Sequence, residues 1–555
     1  MLMLLHSKAD AATPEGMVVL NNDGFWCWFQ DERAIIHNGY LIVGSTAAGV
    51  SDPLRQSDVD AVSLNLSTGE LQLNELQDRF NGEKNQPYDD HNTPAFSVRP
   101  DGRLLAVWTG HYGDTLVHTR VTTDPKDPNS WGPMQTFNVG SPLTYSNPHY
   151  LSSENGGNGR YYNFTRSHIT PQYVYSDDLG ETWSNGNNLV GGDRPYIKFA
   201  SNGADEIHFL VNDGHPRWTE NNSVYHGYYK DGSLHASDGT VISSLSQGLG
   251  TSSEATLVYQ GDAINRSWVT DLALDSTGKP VGVFSVQVEA DGHNNLGSKG
   301  DPGEGLDHRY YYGRWDGSQW QVNEMAYAGT RLFAAEIGED DYTGLIAIDP
   351  NDVDTVYIST NSNPLTGTQL VSNADNQRHF EIFKGVTSDM GQTWTWTAIT
   401  ENSSVDNIRP IVPKWDDQHT ALLWARGKAI SSANYDLDIV GIISGVDSVF
   451  GLLNGVAGDV NQDAAVDIMD WLVYRENFQS DTSGLSLYDR YRQGDVNQDG
   501  VNDWTDFGLF KKAYDAANGA GAFESMTSHV PEPSAAAHGA WLLVFARFLL
   551  ANVGE

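Results

Sequence analysis

One pattern recurs along the chain and limits its fold more than any other: an apolar run, a tight polar turn and a second apolar run. It occurs as AII-HNGY-LIVG turning near residue 38, AFSV-RPDG-RLLAVW near 100 and HYLSS-ENGGNG-RYYNF near 157. It returns as YIKFA-SNGAD-EIHFLV near 203, DLALD-STGK-PVGVFSV near 278, GLIAI-DPNDVD-TVYIS near 352 and RPIVP-KWDDQH-TALLW near 417. Apolar runs joined by such turns read as β-hairpins. Successive turns lie 46 to 75 residues apart, which leaves room for four strands and their loops. Seven such units predict an all-β, seven-bladed β-propeller. The 56 glycines and the 16 Trp, 25 Tyr and 19 Phe suit many short strands joined by turns.

Two aspartate boxes, SDDLGETW from Ser176 and TSDMGQTW from Thr387, support this fold. Their Asp and Gly make a turn between strands and their Trp packs between sheets, so they are structural. Beyond about residue 450 the composition changes. GDVNQDAAVDIMDW begins at Gly458 and GDVNQDGVNDWTDF at Gly494. The first places oxygens at loop positions 1, 3, 5, 9 and 12 through Asp459, Asn461, Asp463, Asp467 and Asp470; the second does so through Asp495, Asn497, Asp499, Asp503 and Asp506. This is the spacing of an EF-hand-type Ca²⁺ loop. The duplicated loop–helix unit, with Asp at position 12, resembles a dockerin type I module, which implies calcium and a cohesin-like partner. The tail VPEPSAAAHGAWLLVFARFLLANVGE resembles a PEP-CTERM sorting signal without its terminal basic cluster. The expected organisation is a leader or N-terminal extension over 1–16, a propeller over 17–448, a dockerin-like module over 456–518 and a linker with sorting tail over 519–555.

The net charge of −39 disfavours nucleic acid as a partner, because phosphate binding needs clustered Lys and Arg. A single cysteine, Cys27, excludes an intrachain disulfide. In WCW it reads as a small buried apolar residue, or as one ligand of a structural Zn²⁺ site shared with nearby histidines. The N-terminus has too short an apolar run for a complete signal peptide, so a secreted or cell-surface bacterial protein is expected with a truncated or missing leader. No segment is long and apolar enough to read as a transmembrane span.

Candidate chemistry gathers at one end of three consecutive hairpins. With the RPDG turn centred between Pro100 and Asp101, His111 lies opposite Asp90, one step from His91 and beside Asn92. In the next unit Arg166 is expected opposite Asn147, near His149 and Tyr150; in the third, Arg194 and Tyr196 precede the turn, and Asp213, His215 and Arg217 follow it. His, Tyr and Arg together suit proton abstraction next to a carboxylate. In a uronate ring, Arg offsets the charge that builds on the carboxylate, His or tyrosinate takes the C5 proton, and Tyr protonates the leaving glycosidic oxygen. The result is β-elimination. Arg194 and Arg409, each in an Arg-Pro pair, bind sulfate or a second uronate, or else staple blades together. Tyr225 and His308 are further candidates for lining the cleft. An acidic body acting on an acidic polysaccharide requires a locally basic cleft.

The motifs GFWCWFQDERAI, DDHNTPAF, YSNPHYL, YYNFTRSH, FLVNDGHPR, HRYYYGRWDG and DNIRPIVP resemble the BNR-4 repeat family, which includes the ulvan lyases of polysaccharide lyase families 24 and 25. The resemblance implies a seven-bladed propeller and a catalytic quartet falling on His91, His111, Tyr150 and Arg166. In it His91 is the base, Tyr150 the acid, and Arg166 with His111 neutralise the carboxylate. The competing readings are a sialidase-like hydrolase, for which no convincing Tyr–Glu nucleophile pair is found, and a non-catalytic carbohydrate-binding propeller.

Overall fold

The computed structural model describes residues 17–443 and 458–527, apart from 51–52, 68, 70, 80–87, 220, 289–305, 334–339, 462–464, 483–486 and 497–500. The leader and most of the sorting tail lie outside the described residues. The chain divides into two compact units near Phe450.

The first unit is a seven-bladed β-propeller. Each predicted hairpin forms the two inner strands of one blade, for example Ala34–His37 with Tyr40–Thr46 in blade 1 and Ala95–Val98 with Leu104–Thr109 in blade 2. Blades 1, 2, 3, 5 and 6 are four-stranded antiparallel sheets in sequence order, while blade 4 carries two extra strands. Blade 7 takes its outermost strand, Val18–Asn21, from the start of the described chain, paired with Asn434–Ile443. This pairing joins the two ends of the ring and leaves no open seam.

Burial follows position in the blade. Leu104–Thr109 and Thr355–Thr360, second strands, are buried at every residue because neighbouring blades cover both faces. Ser184–Asn188, a fourth strand, is mostly exposed. The aspartate boxes join third to fourth strands in blades 3 and 6. Asp178 accepts from the Thr182 amide (2.8 Å), the Thr182 hydroxyl (2.5 Å) and the Ser176 hydroxyl (2.8 Å), and Gly180 turns with φ +87°.

The segment Phe25–Arg33 fills the centre of the ring where the first strands begin. Phe25, Trp28 and Phe29 pack with Tyr196, Trp268 and Tyr435 from other blades. Its polar groups are claimed from around the ring. Arg409 Nε donates to the Cys27 carbonyl (3.1 Å) and its Nη2 to the Gln30 carbonyl (2.7 Å), which Lys198 also reaches. Gln30 Nε2 donates to the His91 carbonyl (2.8 Å) and Arg33 Nη2 to the Ser146 carbonyl (2.7 Å). A channel of about 450 Å³ remains, lined by first-strand residues such as Ala34, Ala95, His149, Phe199, Ala273 and Ile348.

The second unit contains helices Ile468–Glu476, Leu487–Arg492, Trp504–Asn518 and Ala522–Thr527. Asp467 with Asp470, and Asp503 with Asp506, form matching capping boxes, so the repeat in sequence is a repeat in structure. Trp471, Tyr474, Phe510, Tyr514 and Phe523 make the core. Because Phe523 belongs to that core, the unit runs past the boundary expected at 518 through Thr527.

Asp178→Ala removes three acceptor contacts from one partly exposed turn. It should lower unfolding stability by about 1–2 kcal/mol, measured by chemical denaturation, with the circular dichroism of the native state unchanged.

Candidate active site

The site begins with a short turn. Asp89 caps the 3₁₀ turn Asp90–Asn92, accepting from the His91 amide at 3.0 Å. The strand register is Ala95↔Val107 to Val98↔Leu104, which centres the hairpin on Asp101 and sets His91, not Asp90, across from His111. The expectation was one residue off because the turn is odd in length. The two imidazoles stack at 3.8 Å with 12° between planes. Asp89, which the sequence reading passed over, holds both: Oδ1 accepts from His91 Nδ1 (2.5 Å) and Oδ2 from His111 Nδ1 (2.7 Å). Asp90 also faces His91 Nδ1 at 2.7 Å. With Nδ1 of each ring given to a carboxylate, each Nε2 is left for other partners.

Burial pulls His91 down, but the Cys27 sulfur and the carboxylates of Asp89 and Asp90 outweigh it and raise the imidazole well above its ordinary value. Burial, the charge on His91 and that on Arg166 push His111 down to about 4, against the pull of Asp89. The pair is therefore split at neutral pH: His91 is an imidazolium and His111 is neutral. Cys27 is buried, and its sulfur, an Asp90 oxygen and a His91 nitrogen lie within 4.8 Å of one another. Among the described residues, Asp89, His91 and His111 form a second such group, which shares His91.

The tyrosine comes from a β-bulge in blade 3. The pairing runs Leu151↔Arg160 to Asn147↔Phe164, then slips, so that Thr144 and not Asn147 faces Arg166. Tyr145, within the slip, has φ +69°, a left-handed backbone that is costly for an aromatic residue. The bulge turns its ring toward His91, 5.3 Å away, and under the Arg166 guanidinium, 4.7 Å away. Arg166 is buried among Tyr145, Tyr112 and Tyr196, and its Nε and Nη1 have no hydrogen-bond acceptor among the described residues. Burial opposes its charge, but the phenols of Tyr145, Tyr196 and Tyr112 favour it and hold the guanidinium protonated. Burial also raises Tyr145 well above the ordinary phenol value, against Arg166, so the hydroxyl keeps its proton.

Tyr150 is therefore not the site tyrosine. It lies five residues further along the same strand, about 16 Å away at 3.3 Å per residue, beside the hairpin turn at the opposite mouth. There its hydroxyl faces the Asn158 carbonyl at 3.4 Å and its ring packs on Tyr161. The family resemblance placed the tyrosine there, and a spacing to Arg166 does not reveal at which end of the hairpin each residue lies.

Of the other expected residues, Tyr196 and His215 adjoin Arg166: their rings are 5.6 Å apart, with Tyr196 5.2 Å from the guanidinium. Arg194 lies on the same side, over Trp218. Asn92 is buried inside the turn that presents His91. Four residues are corrected, Asn147, His149, Tyr225 and His308, and for Arg409 the stapling alternative holds. Asn147 Oδ1 accepts from Arg33 Nη2 and the Asp31 amide, both at 3.2 Å, inside the ring. His149 faces Asp31 (3.3 Å) and lines the channel. Arg409 is buried and spends its fork on the carbonyls of Cys27 and Gln30, so it is a staple. Tyr225 is a member of the blade 4 core. His308, at the start of a third strand in blade 5, is buried at 1% exposure and does not open on the site. Besides Asp89 and Tyr145, the residues not anticipated include Tyr112, whose hydroxyl donates to the His168 carbonyl; Arg217, expected after the third turn, does lie beside His215. The guanidiniums of Arg166, Arg194 and Arg217 all act on His215, which with burial lowers its imidazole well below the ordinary value. They form a locally basic patch on an otherwise acidic chain.

In the second unit Asp459, Asp470, Asp495 and Asp506 are nearly fully buried. Asp470 accepts from the amides of Val460 (2.7 Å), Asn461 (2.9 Å) and Asp467 (2.8 Å). Asp467 and Asp503 serve as helix caps, and Asn461 is half-buried. Asp463, Asn497 and Asp499 lie outside the described residues. Four carboxylates buried in one small unit are a hard-oxygen donor set that fits Ca²⁺.

A family model described as "BNR repeat-containing family member" matches residues 55–328. The fold is similar to that of a PL25 polysaccharide lyase, an ulvan lyase bound to -[GlcA(1-4)Rha3S]-: TM-score 0.54, 16% identity, over 77% of this chain and 95% of that one. The structure of a PL25 ulvan lyase without that ligand in its description gives TM-score 0.54 and 15% identity over 76% and 95%. At such identity the likeness is one of fold. No curated protein matches by sequence.

The split imidazole pair has a signature in solution. His111, His215 and His308 all have lowered values, so the unfolded chain takes up their protons first as pH falls. Their part of the stability is complete above about 6.5 and declines toward pH 4; His91, raised, contributes with the opposite sign. Nitrogen chemical shifts should show His111 neutral and His91 protonated at pH 7, and Asp89→Asn should shift the titration of both rings downward.

Proposed function

We propose that the protein is a polysaccharide lyase that cleaves a uronate-containing glycan by β-elimination, with an ulvan-type sulfated chain as substrate. One observation carries the reading: two stacked imidazoles, a phenol and a guanidinium edge without an acceptor among the described residues converge at one mouth of the propeller. A uronate carboxylate placed against Arg166 Nε and Nη1 supplies the acceptor those groups lack. His91 adds a second positive charge, and together they offset the charge that builds on the carboxylate as C5 is ionised. His111, neutral, takes the C5 proton through Nε2. The electrons of that C–H bond form the C4=C5 double bond, the C4–O bond breaks, and Tyr145 gives its proton to the departing oxygen. Return of the proton from His111 to the tyrosinate through solvent restores the site.

The histidine roles are thus the reverse of those the family resemblance implies. His111 is the more exposed ring, 26% against 10% for the side chains, and it is the one that is neutral. The similarity in fold to ulvan lyases supports the substrate class. A glycan substrate places the protein outside the cell or on its surface; among the described residues no helix is long and apolar enough to cross a membrane.

Incubation with ulvan should raise the ultraviolet absorbance of a 4,5-unsaturated uronate. Tyr145→Phe should reduce that rate at least about 100-fold, while Tyr150→Phe stays near wild type. New reducing ends without the absorbance would mean a hydrolase and would overturn the reading.

For the second unit we propose calcium held by Asp459, Asp467, Asp470, Asp495, Asp503 and Asp506 with the remaining loop oxygens. It would neutralise buried carboxylates and take no part in the reaction. Chelation of the full-length protein should lower the melting temperature of this unit, and Ca²⁺ but not Mg²⁺ at equal concentration should restore it.

A further inference from the structure

Beside the site lies a second group of side chains that the reaction does not use. The turn His215–Thr219 is closed by the amides of Trp218 and Thr219, which donate to the His215 carbonyl at 3.0 and 2.9 Å. Arg266 Nη1 pins it by donating to the Pro216 carbonyl at 3.4 Å. The turn presents Trp218, 45% exposed on a surface where most large aromatic side chains are covered. Two guanidiniums flank the indole: Arg194 at 5.0 Å and Arg217 at 5.6 Å from the ring centre.

Arg194 is half-buried, has φ +62° and makes no ion pair or hydrogen bond among the described residues. A left-handed arginine without a partner is a strained residue that the fold maintains at a cost, as at ligand clamps. Asp213, across the turn, is already committed to the Ser223 amide (3.0 Å) and the Ser252 hydroxyl (2.7 Å). The group is continuous with the reaction site. Rings step from Tyr196, over Arg166, to His215 at 5.6 Å and on to Trp218 at 4.6 Å.

We propose that Arg194, Trp218 and Arg217 form a subsite for a second sugar ring that carries an oxyanion, next to the ring whose carboxylate Arg166 receives. The apolar face of a pyranose lies on the exposed indole, and the guanidinium forks take a sulfate ester or a second carboxylate. The order of the two rings along the glycan rests on the lyase reading; the binding itself does not. The subsite gives the enzyme a reason to prefer a densely charged glycan over an isolated uronate, despite its acidic body.

Affinity electrophoresis of the full-length protein through gels containing ulvan, chemically desulfated ulvan or a neutral galactomannan tests this. Wild type should be retarded by ulvan and not by the neutral glycan. Arg194→Ala and Trp218→Ala should each weaken retardation roughly tenfold in apparent Kd, with unchanged circular dichroism. Arg217→Gln, at a more buried position, serves as a third variant. If the oxyanion is sulfate, wild type and variants converge on desulfated ulvan; if it is a carboxylate, the difference persists. Tyr145→Phe separates the two claims, because it should stop elimination and keep retardation. Should no substrate yield unsaturated uronate while the Arg194 and Trp218 effects remain, the lyase reading fails and the subsite stands. Variants that bind ulvan as tightly as wild type, or a wild type that binds no polyanion, would overturn the subsite.

Discussion

The propeller depends on how the segment Phe25–Arg33 is held at its centre. Seven blades arranged around an axis leave a hole that side chains from the first strands only partly fill. Here the hole is closed by a stretch of backbone, whose carbonyls would be buried without partners if the ring did not supply donors. Arg409, Lys198 and Arg33 supply or receive those bonds from blades far apart in sequence. The same segment reaches outward, through Gln30 to the His91 carbonyl and through Arg33 to the Ser146 carbonyl. The elements that carry the chemistry are therefore tied to the hub and not only to their own sheets.

That link matters because the site is built from unfavourable pieces. Two stacked imidazoles resist sharing positive charge, a buried guanidinium lacks acceptors, and an aromatic residue sits in left-handed backbone. Each persists because rigid neighbours over-determine it. In the first of these, Asp89 bonds both Nδ1 atoms and favours the charged form of both rings, while Cys27 and Asp90 beside His91, and burial with Arg166 beside His111, push the pKa values of the two stacked rings apart. The aromatic cage around Arg166 resolves the second by favouring the cation while leaving one edge of the fork open.

The overall charge and the local charge point in opposite directions, and the geometry reconciles them. The chain carries a net charge of −39, yet the mouth that holds Tyr145 gathers Arg166, Arg194 and Arg217 around one histidine. Screening confines the repulsion from the distant acidic surface to about a Debye length, some 8–10 Å at moderate salt. A glycan in the cleft then experiences mainly the guanidiniums at contact.

Hairpin periodicity, turn residues and the two aspartate boxes were enough to predict seven blades, because strand pairing within a blade is local and its pattern is written in adjacent runs. The convergence of His91, His111 and Arg166 was legible for the same reason, since each sits a fixed number of residues from a recognisable turn. What spacing alone could not reveal was the identity of the tyrosine. Tyr150 pairs with Tyr161 beside the hairpin turn, at the mouth opposite Arg166, and the phenol beside Arg166 is instead that of Tyr145, inside the bulge. Asn147 was misread because its partners, Asp31 and Arg33, lie in the central segment, which hairpin spacing does not bring next to it. Sequence determined the local pairings and the kinds of side chain available; contacts between blades, which depend on the closed ring, decided which of them face one substrate.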